Sequence, residues 1–336
     1  MFKLVALFAG LALLVWVATN ADFSAVLHAV PRIGWQGALA IVGAFALGFT
    51  ADVGAWALMF ATVDATWSWV GRLWPVQMVG EAVNTLLPFG SLGGEPVKAV
   101  LLKRRDGISY REASGALLLI QAVNTSAEVP FVVIGLVVAL RRHILSPTLE
   151  TAMIVGVAVL VNFIFWLFVA LHRRWLVWLQ QRLRAGRWGA RLRHGLDVLG
   201  DIETHLYTFV RHRPLKFAAA LAFAFVNWMF GAFELFLILR FLGAPVSVGD
   251  AWLMETAVVM VRNVTFFIPG HLGTQDGIIT LMGGLLTGAP GIGLAVAVIR
   301  RARELLWSGV GLGIGAGFGL GSLTPLTDDA PPSGTA

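Results

Sequence analysis

Charged side chains occur inside several apolar segments of this sequence, where an ionised group is costly unless it is paired or reached by water. Asp52 and Glu234 lie in apolar segments that precede two segments broken by proline and glycine. Glu95 and Lys98 lie in the first broken segment, and Asp276 lies in the second. A carboxylate at such a depth can take up and release a proton, so Asp52, Glu95, Glu234 and Asp276 are candidate proton-coupling residues.

Arginine side chains form a second group, in the apolar segment near the C-terminus. Arg300, Arg303 and Glu304 are spaced i, i+3 and i+4, and this spacing places them on one face of a helix. In the first half of the chain, Gln121 aligns with Arg300 and Asn124 aligns with Arg303. Because a guanidinium binds phosphate or carboxylate with paired donors, these side chains are predicted to line a pathway for a polar group.

The same charges also allow a purely structural interpretation. Glu95 would then pair with Lys98, and Arg300 with Glu304, as buried ion pairs that hold helices together and bind no ligand. The sequence alone leaves both interpretations open.

The two broken segments follow one pattern. Each runs from asparagine through apolar residues to proline, glycine and an acid: Asn84, Pro88, Gly93, Gly94 and Glu95 in the first, and Asn263, Pro269, Gly273 and Asp276 in the second. Proline removes a helical donor and glycine permits chain reversal, so each segment is predicted to form a helical hairpin with its turn inside the membrane. Free backbone groups at such a turn suit an anionic group, and the two asparagines are predicted to cap or staple the hairpins.

The composition requires a large apolar environment around these charges. Of the 336 residues, 57% are hydrophobic and 13% are charged, whereas soluble domains carry about 25% charged residues. We therefore predict an all-α polytopic membrane protein. A span needs about 20 apolar residues, and six segments qualify: about 3–19, 37–61, 112–140, 151–171, 216–241 and 291–320. Cysteine is absent, which excludes thiolate metal sites. We expect neither a metal nor a cofactor.

The order of segments predicts an inverted repeat within one membrane domain, 1–322. Each half reads span, hairpin, span, over about 37–140 and about 216–320. With a cytoplasmic N-terminus, the first hairpin enters from the cytoplasm and the second from outside, and the C-terminus is cytoplasmic. Arg141 and Arg142 then fall outside, against the usual charge bias. Inverted repeats with broken helices are typical of alternating-access transporters.

Two polar segments lie outside the repeats. The connector at about 172–215 mixes arginine with tryptophan, and the positive-inside rule places it in the cytoplasm. It is either a helical surface segment on the anionic leaflet or a solvated linker. The residues at 323–336 are predicted to be a disordered tail. Motifs for nucleic-acid binding are missing, so the expected partners are membrane lipids.

Both broken segments carry the resemblance to a known family. The matching residues are Asn84, the run from Pro88 to Lys98, Gly107-Ile108-Ser109 and Ala113, and then Pro269 to Gly273, Asp276-Gly277, Gly288, Ala295 and Arg303. They resemble the lysylphosphatidylglycerol synthase transmembrane region, also called the flippase-like domain family. The resemblance implies movement of lipids between leaflets. The aminoacyltransferase domain of full-length synthases is expected to be absent, and the layout is similar to stand-alone members associated with hopanoid biosynthesis.

The resulting expectation is a multi-pass lipid translocator of the bacterial inner membrane, not an enzyme. Its substrate would be a lipid with a polar headgroup or of isoprenoid type. Three alternatives remain open from the sequence: a membrane-embedded lipid-modifying enzyme, a non-catalytic assembly factor that contacts lipid-biosynthesis enzymes, and a proton-coupled transporter of a small solute.

Overall fold

The described part of the chain consists of α-helices. A computed structural model describes residues 30–86, 93–142, 145–173, 207, 209, 211–265, 268, 271 and 273–318. After a 3-10 turn at Val30–Ile33, the helices are α1 (Gly34–Ala57), α2 (Trp67–Leu86), α3 (Gly94–Asp106), α4 (Tyr110–Arg142), α5 (Pro147–Arg173), α6 (Pro214–Phe241), α7 (Val248–Val264), α8 (Thr274–Thr287) and α9 (Pro290–Gly317). The predicted all-α class is confirmed, since these residues contain no strand.

Four segments are long and apolar enough to cross a membrane: Pro31–Ala57, Tyr110–Arg142, Pro147–Trp166 and Pro214–Phe241. They coincide with four of the predicted spans. Helix α9 includes residues 291–317 of the predicted span at 291–320 and is 28 residues long, but charged residues interrupt its apolar sequence. The predicted span at 3–19 lies outside the described residues.

Each of the two broken segments contains a pair of helices that pack against each other. Helices α2 and α3 lie on either side of residues 87–92, and α7 and α8 lie on either side of residues 265–273. Helix α3 has 13 residues and α8 has 14, so each is about 20 Å long. Neither is long enough to cross a hydrocarbon core of about 30 Å. Pro88 and Pro269, predicted to break the helices, lie outside the described residues.

The helices form two successive series of four, α1–α4 and α6–α9, and α5 lies between them in the sequence. Helix α1 packs against α6, α2 against α9, and α4 against α7. Each hairpin therefore contacts the last helix of the other series. Glycines allow the closest approaches: a methyl group on Gly311 of α9 would lie 2.6 Å from the carbonyl oxygen of Met78 on α2. A methyl group on Gly135 of α4 would similarly overlap the Thr256 side chain on α7.

The outer surface is apolar, as a lipid environment requires. On α5, Val159, Phe163 and Phe165 are each more than half exposed. Buried apolar clusters lie inside both series of helices, around Trp56 and Phe60 in the first and around Leu235 and Leu253 in the second. Most of the predicted connector at 172–215 and the whole tail at 323–336 fall outside the described residues.

Candidate functional site

Asp52 on α1 is a buried carboxylate held by two amides. Asp52 is 8% exposed. Gln77 of α2 donates from Nε2 to Oδ2 at 2.9 Å, and Asn124 of α4 donates from Nδ2 to Oδ1 at 2.9 Å. Both neighbours are neutral, so Asp52 makes no ion pair within the described part of the chain.

A cluster of charges on the first hairpin lies beside Asp52. The buried Lys98 on α3 contacts Glu95 at 2.8 Å and Glu81 of α2 at 3.6 Å, measured from Nζ to Oε1 in both cases. The Glu81 and Glu95 side chains are 45% and 31% exposed. Gln77 also lies 3.4 Å from Glu81 and so connects this cluster to Asp52. The Glu95–Lys98 pair, one of the alternatives from the sequence, is confirmed.

Asn84 joins the two helices of the first hairpin. Its Oδ1 accepts a hydrogen bond of 2.6 Å from the backbone N–H of Gly94, directly after Gly93, the N-cap residue of α3. The backbones come this close because Gly94 has no side chain: a methyl group there would lie 2.1 Å from the Gly80 carbonyl oxygen. The predicted role of Asn84 as a staple is confirmed.

Asn263 acts differently from Asn84. Its side-chain amide donates to the Glu128 carboxylate in the middle of α4. It therefore joins the second hairpin to the first series of helices, and the predicted staple within its own hairpin is wrong for Asn263. Within the second hairpin, the Thr265 and Thr274 hydroxyls lie 3.2 Å apart instead, so this pair spans the turn.

Two arginines of α9 are buried against glutamates. Arg300 binds Glu255 of α7 with both terminal nitrogens, and Nη2 lies 2.9 Å from Oε1. Arg303 binds Glu234 of α6 through Nε and Nη2, at 2.8 and 3.0 Å. All four residues are buried. The alternative pairing of Arg300 with Glu304 is wrong, because the Arg300 side chain turns toward α7.

Arg301, which the sequence patterns did not single out, binds Asp276. Its Nη2 lies 2.7 Å from Asp276 Oδ2, and its Nη1 lies 2.8 Å from Glu304. Gln275 donates to the other oxygen of Glu304 at 2.7 Å, and the Gly273 N–H donates to Asp276 at the start of α8. These bonds fix α8 against α9.

The contact between Asp52 and Asn124 recurs in the second series with a different donor. Asn124 aligns with Arg303 in the sequence repeat, and each binds a carboxylate on the first helix of its own series, Asp52 or Glu234. The donor is a neutral amide in the first series and a guanidinium in the second. Gln121, aligned with Arg300, is exposed and forms no side-chain hydrogen bond with any residue that the structure describes.

Arg262, one residue before Asn263, is a half-buried cation near the second turn. No carboxylate of the described residues lies within ion-pair distance of it. Its depth follows from Asn263, which contacts the middle of α4. His271 in the same turn has a φ of 49°, and its buried Nδ1 has no hydrogen-bond partner among the residues described. Two polar groups in or beside the second turn, the Arg262 guanidinium and His271 Nδ1, thus make no hydrogen bond with the residues described.

Long apolar helices around a charged interior define a polytopic helical membrane protein. The chain belongs to the family described as the lysylphosphatidylglycerol synthase transmembrane region, which it matches over residues 3–313. The resemblance predicted from the two hairpins is therefore confirmed. The chain is also similar to a "UPF0104 membrane protein" of Methanothermobacter thermautotrophicus, with 23% identity over 248 residues, covering 68% of this chain and 70% of the relative. No solved structure matches the chain.

Proposed function

We propose that this protein is a lipid translocator that moves a lipid with a polar headgroup, or one of isoprenoid type, between the leaflets of the bacterial inner membrane. The family match supports a role connected with membrane lipids. In this proposal, six spans surround two re-entrant hairpins that enter from opposite faces. The headgroup passes between the hairpin turns while the lipid tail stays in the hydrocarbon.

The exposure of Glu81 and Glu95 is the observation that carries the proposal. An α-helix rises about 1.5 Å per residue. Glu81 therefore lies about 21 Å along α2 from Trp67, and Glu95 lies about 17 Å along α3 from Asp106. Both positions are deep within a hydrocarbon core of about 30 Å. The two carboxylates share one cation, Lys98, and their side chains are 45% and 31% exposed, so water or a polar headgroup would stabilise the remaining negative charge. An open polar space beside the first hairpin suits a headgroup.

The ion pairs reduce the number of arginines that can bind the headgroup. Arg300 and Arg303 have their guanidinium groups bound to Glu255 and Glu234, and they hold the wall of the pathway in place. Arg262 forms no hydrogen bond or ion pair with the residues that the structure describes, although its charge acts on Glu128, and it lies beside the exposed Asn263. An anionic part of the headgroup binds Arg262 in this proposal, because an unpaired cation at membrane depth gains most from such a partner.

Purified protein in liposomes tests this function. Vesicles receive fluorescent lipids of anionic, zwitterionic and isoprenoid type, and a membrane-impermeant quencher reports exchange between leaflets. We expect faster exchange than in empty liposomes for at least one lipid, with a loss of about tenfold or more in Arg262→Gln, the loss that follows from about 1.4 kcal/mol of binding free energy. Arg240→Gln, at the exposed end of α6, is the matched control and retains exchange.

Two results would contradict the proposal. Exchange equal to that of empty liposomes for every lipid would exclude translocation under these conditions. Conversion of a labelled lipid to a new species, detected by mass spectrometry of the same vesicles, would instead identify a lipid-modifying enzyme.

A further inference from the structure

Asp52 differs from the ion-paired carboxylates of the interior in the kind of group that binds it. Glu128 also accepts from an amide, that of Asn263, but the Arg262 cation lies near it. Glu234 and Asp276 are bound by arginines, and Glu95 is bound by Lys98. The two partners of Asp52 are side-chain amides. We infer that Asp52 is the site where a proton binds and drives the transport cycle. This inference rests on the proposed translocator function.

The reason is the charge that protonation would leave behind. A guanidinium does not release its proton in a protein. Protonating Glu234 would therefore leave Arg303 as an unpaired buried cation, which costs several kcal/mol. Protonating Asp52 leaves only neutral amides around it. The step is simple: a proton adds to the Asp52 carboxylate to form a carboxylic acid, and the same proton leaves when the carboxylate forms again.

The hydrogen bonds around Asp52 suit both states. The ionised carboxylate accepts from Gln77 and Asn124. In this arrangement the side-chain oxygen of Asn124 is buried without a hydrogen-bond partner among the described residues, and such an acceptor is costly to leave unpaired. Turning the Asn124 amide over brings that oxygen to Asp52. The protonated acid then donates to that oxygen, and the amide nitrogen takes the position that the oxygen occupied.

The charges that face Asp52 come from the first hairpin. Glu81 faces it from α2, and Lys98 and Glu95 face it from α3. Lys98 is already bound by Glu81 and Glu95. These three side chains carry one excess negative charge before Asp52 is counted. Helix α4 contributes the neutral Asn124. A proton on Asp52 reduces the repulsion among the carboxylates.

Helix α6 contributes no charge to this part of α1. Along the turns of α1 before and after Asp52, Gly48 faces Phe230 and Asn227 of α6, and Gly54 faces Phe223. The charged groups that act on Asp52 thus lie on the first hairpin, and the inferred proton route runs past them. Gln77 contacts both Asp52 and the exposed Glu81, so Glu81 lies one side chain away on the route from water.

Infrared spectroscopy of the full-length protein in liposomes tests proton binding without any substrate. The carboxylic-acid carbonyl band is followed from alkaline to mildly acidic pH. We expect a band from a buried acid in the wild-type protein that is absent in Asp52→Asn and retained in Asp64→Asn, which removes an exposed aspartate between α1 and α2. Asp52→Glu keeps a titratable group and is expected to shift the band. An unchanged band in Asp52→Asn, or no such band in the wild type, would overturn the inference.

Lipid exchange under an imposed pH gradient tests the coupling in the same vesicles. We expect the gradient to accelerate exchange several-fold in the wild type and in Asp64→Asn, with no acceleration in Asp52→Asn. If the gradient does not change the rate of exchange in the wild type, the inferred proton coupling is wrong, and the proposed translocator function is unaffected. An absence of all exchange would overturn the proposed function, and the infrared result would still decide whether Asp52 binds a proton.

Discussion

Arg303 on α9 binds Glu234 on α6 through hydrogen bonds of 2.8 and 3.0 Å, and its guanidinium carbon lies 3.7 Å from the centre of the Phe45 ring on α1. One side chain therefore joins three helices that belong to both series. Buried ion pairs add little stability compared with apolar packing, but removing one partner leaves an uncompensated charge. Substitution of Arg303 therefore tests whether the interior charges hold the helices together.

Replacing Arg303 by glutamine is expected to destabilise the protein strongly. Glu234 would remain buried without its cation, at a cost of about 3–5 kcal/mol. Equilibrium unfolding in mixed detergent micelles measures the loss. The double variant Arg303→Gln/Glu234→Gln is expected to recover part of it. Arg141→Gln, at the exposed end of α4, should change stability by no more than about 0.5 kcal/mol. Equal losses in Arg303→Gln and Arg141→Gln would contradict the buried pair.

The contact between α2 and α9 depends on the absence of a side chain at Gly311. In Gly311→Ala the new methyl group would lie 2.6 Å from the Met78 carbonyl oxygen, and backbone cannot move aside as a flexible side chain can. We expect a loss of about 1–3 kcal/mol from overpacking. In Gly313→Ala, on the same helix with nothing within 4 Å, we expect a gain of up to about 1 kcal/mol from helix propensity. Unfolding in micelles compares the two, and a stabilised Gly311→Ala would contradict the close approach.

Water beside the first hairpin can be tested with single cysteines, because the natural sequence contains none. A thiol reacts with maleimide as the thiolate, which requires water. Glu81→Cys is expected to react with a charged, water-soluble maleimide in liposomes. Leu281→Cys lies on α8 at a position that is 48% exposed, close to the 45% of the Glu81 side chain, and is expected to stay unlabelled because it faces lipid. Equal labelling of both thiols would remove the argument for a polar space.

The proposed opposite orientation of the two hairpins predicts opposite labelling of their outer ends. Asp64 lies in the exposed segment before α2, and Val248 lies at the start of α7 and is 54% exposed. In cells whose inner membrane is sealed and accessible from outside, Val248→Cys is expected to react with an impermeant maleimide. Asp64→Cys is expected to react only after the membrane is permeabilised. Labelling of both thiols from the same side would exclude the inverted repeat.

The positions of the hairpins were predictable from the sequence, since proline and glycine act on the local backbone. The partners of the charged residues were less so. Arg300 and Glu304 share a helix face, yet Arg300 binds Glu255 on another helix. Arg301 is turned about 100° from Arg300 on the helix, which directs it toward Asp276 on α8. Only the packing of neighbouring helices decides which of these carboxylates is within reach.

The two asparagines show the same limit. Asn84 and Asn263 occupy equivalent positions in the repeat, and the sequence gives no reason to treat them differently. Asn84 reaches Gly94 because glycine lets two backbones approach. Asn263 reaches Glu128, because α4 of the other series packs against α7. A repeated motif predicts repeated backbone geometry more reliably than repeated side-chain contacts.

By itself the sequence determined that the chain is helical, lies in a membrane and contains two similar broken segments. These properties depend on apolar composition and on local backbone chemistry, which neighbouring residues largely fix. The tertiary structure decided which interior charges are neutralised and which stay available, because an ion pair forms only between groups that packing brings within about 4 Å. In the folded protein, arginines bind Glu234 and Asp276, whereas side-chain amides bind Asp52. These contacts separate carboxylates bound by cations from the carboxylate bound by amides, and the inferred proton site rests on that difference.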